Sequence, residues 1–307
     1  MVPRDGGHVL YVEQVGKPDG LPVVFLHGGP GSGCQPAHRQ LFDPKRFRAI
    51  LWDQRGAGRS TPKGSRTANT TQHLLADLEH IRTLLKIDRW LVVGGSWGAT
   101  LAIAYAEAHP ERVRGLSLRG VFLGAPEEWR WAFVDAPRIF RPDLHQVLLA
   151  LLPESERTDL IGALTRRLFH LDAAIHQPAA VAWGEYERVL SEVHAAPPAP
   201  LPASLSAPLG GRSIPNTPYI EAHYCAHDSF LRPRQLLDDA HRLRGIPGIL
   251  VQGRYDMLCP PQVAQSLHHA WPGSELRIVE MAGHAISEPG IRPAVIQAIE
   301  DVADRAG

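Results

Sequence analysis

The sequence predicts an α/β chain: a mostly parallel sheet with helices on both faces and a helical cap inserted into it. Three observations lead there. Short apolar runs end in glycine-rich turns. They alternate with segments whose apolar residues recur at helical spacing. That alternation stops near residue 123 and resumes near residue 244. Strands alternating with helices call for a parallel sheet covered on both sides.

Residues 23–26, VVFL, are closed by HGGPGSG at 27–33 and read as a buried strand. Residues 47–52 read as a second strand, ended by DQRGAGRS. From Thr71, the apolar residues Leu74, Leu75, Leu78, Ile81, Leu84 and Leu85 keep helical spacing, with Thr70 or Thr71 as the cap. Residues 90–93 form a third strand, 97–109 an alanine-rich helix stopped at Pro110, and 113–118 a fourth strand. Residues 123–243 read as a mostly helical cap. Within it, 196–218 is too rich in proline for regular helix or central strand. An exposed loop is expected there, with a domain linker as the alternative. The pattern resumes with strand 249–252, helix 261–270, strand 276–279 and a last helix from about residue 292. The expected organisation is a core of 1–122 and 244–307 interrupted by the cap.

The 307 residues suit one large domain with an insertion, and 44% apolar content supplies a full core. Lys+Arg and Asp+Glu both number 32, so no charge excess points to nucleic acid or an acidic membrane. No apolar run reaches the roughly 18 residues of a membrane span, and the N-terminus lacks a signal-peptide core. Cys34, Cys225 and Cys259 form neither a disulfide framework nor a metal spacing, and fit a reducing cytoplasm. His268 and His269 fall in an amphipathic segment and read as surface residues.

The chemistry gathers around Gly94-Gly95-Ser96-Trp97-Gly98, a G-x-S-x-G between a predicted strand and a predicted helix. Such an elbow holds a serine in a strained turn above the sheet, with small neighbours where backbones approach closely. A serine hydroxyl needs a base. In the serine–acid–histidine order of α/β hydrolases, Asp256 and His284 each follow a predicted strand, where such folds keep their chemistry. His284 would take and return the proton, and Asp256 would orient it. The backbone N–H groups of Gly29 and Trp97 are the candidate oxyanion donors. HGGPGSG lacks the lysine of a phosphate loop. Asp53 and Arg55 are expected to brace the site.

The segments VFLHGGPGSG, DQRGAGRS, GGSWGATLAIAYAEAHPERV, LRGVFL, GRYDMLCP and GHAISEPGI together resemble the proline iminopeptidases of the α/β-hydrolase superfamily. The resemblance spans most of the chain outside the cap. It implies release of N-terminal proline from peptides, with no metal or cofactor. It also implies two cap glutamates for the substrate amine. Trp183-Gly184-Glu185-Tyr186-Glu187 is similar to the family's W-x-x-W-E, giving Glu187; Glu221-Ala222-His223-Tyr224 fits its E-x-H-Y, giving Glu221. By residue chemistry alone both read as solvated helix glutamates. The chain departs from the family after LRGVFL, where GAPEEWRW replaces basic residues, and in GRYDMLCP, where Leu258 stands in the place of a thiol. Trp129, Trp131 and Trp183 could wall a proline pocket or pack in the core. The rival activity is the same machinery acting on an ester, lactone or amino-acid amide. The non-enzyme rival is a silent binding protein of the same fold.

Overall fold

The computed structural model describes residues 1–194, 205 and 214–306. Its sheet comprises β1 (Val2–Pro3), β2 (Val9–Gly16), β3 (Leu21–Leu26), β4 (Phe47–Asp53), β5 (Trp90–Ser96), β6 (Val113–Val121), β7 (Gly248–Gly253) and β8 (Ser274–Val279). The spatial order is β1-β2-β4-β3-β5-β6-β7-β8. From β4 to β8 every pairing is parallel, while β2 pairs antiparallel with both β1 and β4.

Side chains on successive strand residues point to opposite faces, and the chain uses both. Val24, Leu26, Val92, Leu116, Leu118 and Leu250 join one core with α1 (Thr71–Leu84), α2 (Trp97–Ala108) and the Pro261–Ala270 helix. Val23, Phe25, Leu91, Val93, Ile249 and Val251 join the other, under the Ile291–Arg305 helix. This is why the central strands read as continuous apolar runs rather than alternating ones. Thr70 caps α1 by accepting from the His73 N–H.

Between β6 and β7 the described residues are mostly helical, and two of these helices matter for the site: Ala173–Leu190 and Thr217–Cys225. Residues 196–204 and 206–213, most of the expected proline-rich loop, lie outside the described residues. Its last two members do not follow the expectation. Thr217 and Pro218 open a helix, where proline's missing N–H costs nothing because that position has no partner anyway. The sequence reading also missed β1 and β2, which extend the sheet beyond β4.

Arg55 explains how this edge is tied down. Its guanidinium meets both Asp77 oxygens, at 2.7 and 2.8 Å, and also bonds the Ala68 carbonyl and Asp5. Arg4 adds a 2.6 Å bond to Asp77. The cluster joins the N-terminus, the segment after β4 and α1, so Arg55 braces the fold at one remove from the site. Asp53 is the residue that reaches the glycine-rich loop, accepting from the Cys34 N–H at 2.7 Å and from Arg59 at 2.8 Å. The Arg55 and Asp77 side chains are both fully buried. Asp77→Ala removes the only buried carboxylate from this cation, leaving it the exposed Asp5, and is expected to cost about 3 kcal/mol of stability, read by urea denaturation.

Candidate active site

β5 passes into α2 at Ser96, whose φ of 57° and ψ of −127° are strained for a residue with a side chain. The flanking glycines make that geometry possible. A Cβ on Gly94 would stand 2.2 Å from the Gly98 carbonyl oxygen, and one on Gly98 would stand 2.0 Å from the Leu26 carbonyl oxygen. Trp97 is the first residue of α2, so no carbonyl within the helix can reach its N–H.

Asp256 follows β7 and His284 follows β8. His284 Nδ1 and Asp256 Oδ2 are 2.8 Å apart, and both residues are buried. The carboxylate is itself held in place. Oδ1 accepts from the Leu258 N–H at 3.0 Å and the Cys259 N–H at 2.8 Å, and Oδ2 accepts from Gln252 at 3.2 Å. When Nδ1–H donates a hydrogen bond to Asp256, the neutral imidazole has Nε2 free to accept. Gly120, at φ 56°, leaves room for the ring, since a Cβ there would stand 2.9 Å from His284 Cε1. Ser96 and His284 line one cavity of about 280 Å³. Among the described residues no hydrogen bond joins the Ser96 hydroxyl to His284. Contacts of this kind commonly close only with substrate in place.

The glycine-rich loop after β3 lies against the serine: a Cβ on Gly28 would be 3.4 Å from Ser96 Cβ. Gly29, at φ 106°, lines the cavity beside Ser96. The Gln54 N–H donates to His27 Nε2 at 3.0 Å, the Gln54 side chain donates to the His27 carbonyl at 2.9 Å, and the Trp97 indole N–H donates to Gln54 at 2.9 Å. Burial lowers the His27 pKa, which favours the neutral ring that this network needs. Gln54 thus couples the loop to the elbow. It went unrecognised in the sequence.

On the cap side of Ser96 lies a small pocket lined by Gly29, Phe122, Trp129, Ala132, Phe133, Glu187, Glu221, Leu258 and Cys259. Of the three candidate tryptophans only Trp129 lines it. Trp183 instead donates its indole N–H to Glu221 at 2.8 Å, and Trp131 does not line it. Phe122 and Phe133 supply the walls the sequence reading left unnamed, and Leu258 stands where the family resemblance placed a pocket residue. Glu187 comes from the Ala173–Leu190 helix and Glu221 from the Thr217–Cys225 helix. Glu221 is buried and Glu187 half-buried, so neither is a solvated helix glutamate. Burial, then the charge of Glu187, push the Glu221 carboxyl well above its usual range. Burial also raises Glu187, opposed by its hydrogen bond with Glu221 and by His284. Two carboxyls this close share a proton rather than both ionise.

Among the described residues, one set of three potential metal ligands occurs: Asp256, Cys259 and His284, with donor atoms within 4.8 Å of one another. Asp256 and His284 already bond each other there. The Cys259 thiol lies within hydrogen-bonding reach of Ser96, and burial raises its pKa well above the ordinary thiol value. It is therefore held protonated beside the serine.

Residues 22–290 match the model of the alpha/beta hydrolase fold family. A probable proline iminopeptidase of Leptolyngbya boryana is 44% identical over 302 residues, covering 98% of this chain and 92% of that protein. The proline iminopeptidase of Xylella fastidiosa strain 9a5c is 45% identical, covering 93% of this chain and 90% of its own length. The chain belongs to the proline iminopeptidase family of α/β hydrolases. Among solved structures it resembles a proline iminopeptidase of Mycobacterium smegmatis, with a TM-score of 0.62, 18% identity and 99% of each chain covered. It also resembles a thermophilic esterase of Thermogutta terrifontis, with a TM-score of 0.60, 21% identity and 99% and 96% covered. At those identities the structural likeness carries the fold alone. No described helix is long and apolar enough to cross a membrane.

The elbow of this iminopeptidase-family chain makes a sharp demand at Gly98. The opposing atom is backbone, so no side-chain rotation relieves a Cβ. Gly98→Ala is expected to cost about 1–3 kcal/mol or more of stability and to slow labelling of Ser96 by a serine-directed phosphonate, followed by intact mass.

Proposed function

We propose that this chain is a serine peptidase that releases proline from the N-terminus of peptides. The supporting observation is the small, largely apolar pocket beside Ser96 with two carboxyls on its wall. An apolar pocket suits a pyrrolidine ring. Carboxylates suit its protonated nitrogen, which has two N–H donors and one positive charge. A substrate amine supplies the charge that lets Glu187 and Glu221 ionise together. With residues 123–243 acting as a cap over the site, an N-terminal extension would have to displace these carboxyls from the amine.

In this reading the Ser96 hydroxyl attacks the prolyl carbonyl as His284 Nε2 takes its proton. Asp256 steadies the imidazolium. The Gly29 and Trp97 amides stabilise the oxyanion. His284 then protonates the departing amine, the C–N bond breaks, and a prolyl ester remains on Ser96. Water activated by His284 hydrolyses that ester. The leaving peptide has a way out through the adjoining mouth of about 430 Å³, lined by Ser32, Arg188, Thr217 and Pro218 together with Glu187 and His284. None of these steps calls on a metal or cofactor.

The direct test compares a proline arylamide, an alanine arylamide and a short-chain aryl ester, with Ser96→Ala as control. The proline arylamide is expected to dominate, and Ser96→Ala to lower kcat by roughly 10⁴–10⁶. Turnover of the ester alone would leave the hydrolase and remove the peptidase.

Glu187→Gln or Glu221→Gln is expected to lower kcat/KM for the prolyl amide by about 10–100-fold, the worth of a hydrogen bond to a charged group. Ester turnover should hardly change. Because burial raises both carboxyl pKa values, acidification protonates them early. KM for the prolyl amide should therefore rise as pH falls, while KM for the ester does not.

The same shifts affect stability. A carboxyl whose folded pKa is raised weakens the fold when ionised, above its unfolded pKa. Glu221→Gln keeps an acceptor for Trp183, so it should raise the melting temperature at neutral pH. That gain should vanish below the ordinary carboxylate range, where Glu221 is protonated in both states.

A further inference from the structure

Arg119 has no part in the chemistry above, yet it lies between the serine and the histidine. It sits near the C-terminal end of β6, paired with Gly95 of β5. Gly95 has no side chain, so the guanidinium can lie across it; a Cβ there would stand 2.5 Å from Arg119 Nη2. From that position Nη1 donates to the His284 carbonyl oxygen at 2.6 Å. His284 belongs to an irregular stretch after β8, where no ladder fixes the backbone. Its N–H goes to the Ser191 carbonyl at the end of the cap helix at 2.8 Å, and the Ala285 N–H shares that oxygen at 2.8 Å. The histidine backbone is thus held by the cap through its N–H and by the sheet through its carbonyl.

We propose that Arg119 is a positioning residue: by spanning Gly95 and holding the His284 carbonyl, it sets the spacing between the Ser96 hydroxyl and the imidazole. This rests on reading Ser96 and His284 as nucleophile and base. Desolvation lowers the Arg119 pKa, and the negative charge of Asp256 opposes that shift. Arg119 does not line the pocket that holds Glu221 and the aromatic walls, although Glu187 also borders the cavity Arg119 shares with Ser96 and His284. Its loss should therefore slow the chemical step rather than weaken substrate binding.

The test uses the full chain and a prolyl arylamide. Arg119→Ala should lower kcat by about 10²-fold, the cost of a misplacement near 1 Å, with KM changed by no more than about twofold. The cavity that Arg119 shares with Ser96 and His284 can admit a small cation. Millimolar guanidinium should then restore part of kcat to Arg119→Ala and restore nothing to His284→Ala. Arg119→Lys, which keeps a charged donor, should exceed Arg119→Gln, and this pair decides the matter if the alanine variant does not fold. Wild-type kcat in folded Arg119→Ala would overturn the proposal. So would a loss confined to KM, a folded Arg119→Ala that guanidinium does not rescue, or, where the alanine variant does not fold, a Lys variant no better than Gln. Activity surviving in His284→Ala would instead overturn the underlying assignment of the base.

Discussion

The close approach of β3, β5 and α2 at the elbow governs everything around it. Leu26, Gly94 and Gly98 bring three backbones together with no space for a side chain. That contact holds Ser96 at a positive φ, above the ends of the parallel strands. The same contact places the first N–H of α2 beside the loop that carries Gly29. The strain at Ser96 is local and of order 1–3 kcal/mol. The two apolar cores that clamp β5 from either side hold it in place.

Around this fixed point the protein keeps groups that weaken its own fold. Two carboxyls face each other in a pocket with aromatic walls, where burial penalises their charged forms. Without a cation the pair shares a proton. A bound amine reverses the balance, because it supplies the charge that the pocket lacks. In the proposed function, the cost in stability and the selectivity for a free N-terminus come from one arrangement. The cap helix that bears Glu187 ends at Ser191, whose carbonyl holds the backbone of His284. Glu187 and His284, the proposed amine-binding and proton-transferring residues, are therefore joined through one helix end.

How much of this could be read in the sequence depended on how local the signal was. Ser96, Asp256 and His284 each follow a short apolar strand, and the structure brings the three to one end of the sheet. The central strands and the helices 71–84 and 97–108 were legible because their apolar spacing reports burial directly. β2 was missed although VLYVEQVG carries β-branched residues, because it is an antiparallel strand, largely half-buried, outside the βα alternation. Glu187 and Glu221 looked like solvated helix residues. Only the family resemblance singled them out, since their burial depends on two helices meeting. Phe122 and Phe133 carry no chemical signature, and Arg119 meets His284 across 165 positions of sequence. Contacts of that range have no local pattern to betray them.

The most direct measurement is covalent trapping with two phosphonate analogues of proline, one with a free ring nitrogen and one N-acetylated, read by intact and peptide mass spectrometry. Rapid, stoichiometric modification of Ser96 by the free amine and very slow modification by the acetylated analogue are expected. Equal rates for the two would rule out recognition of a free amine, and modification at another residue would rule out Ser96 as nucleophile.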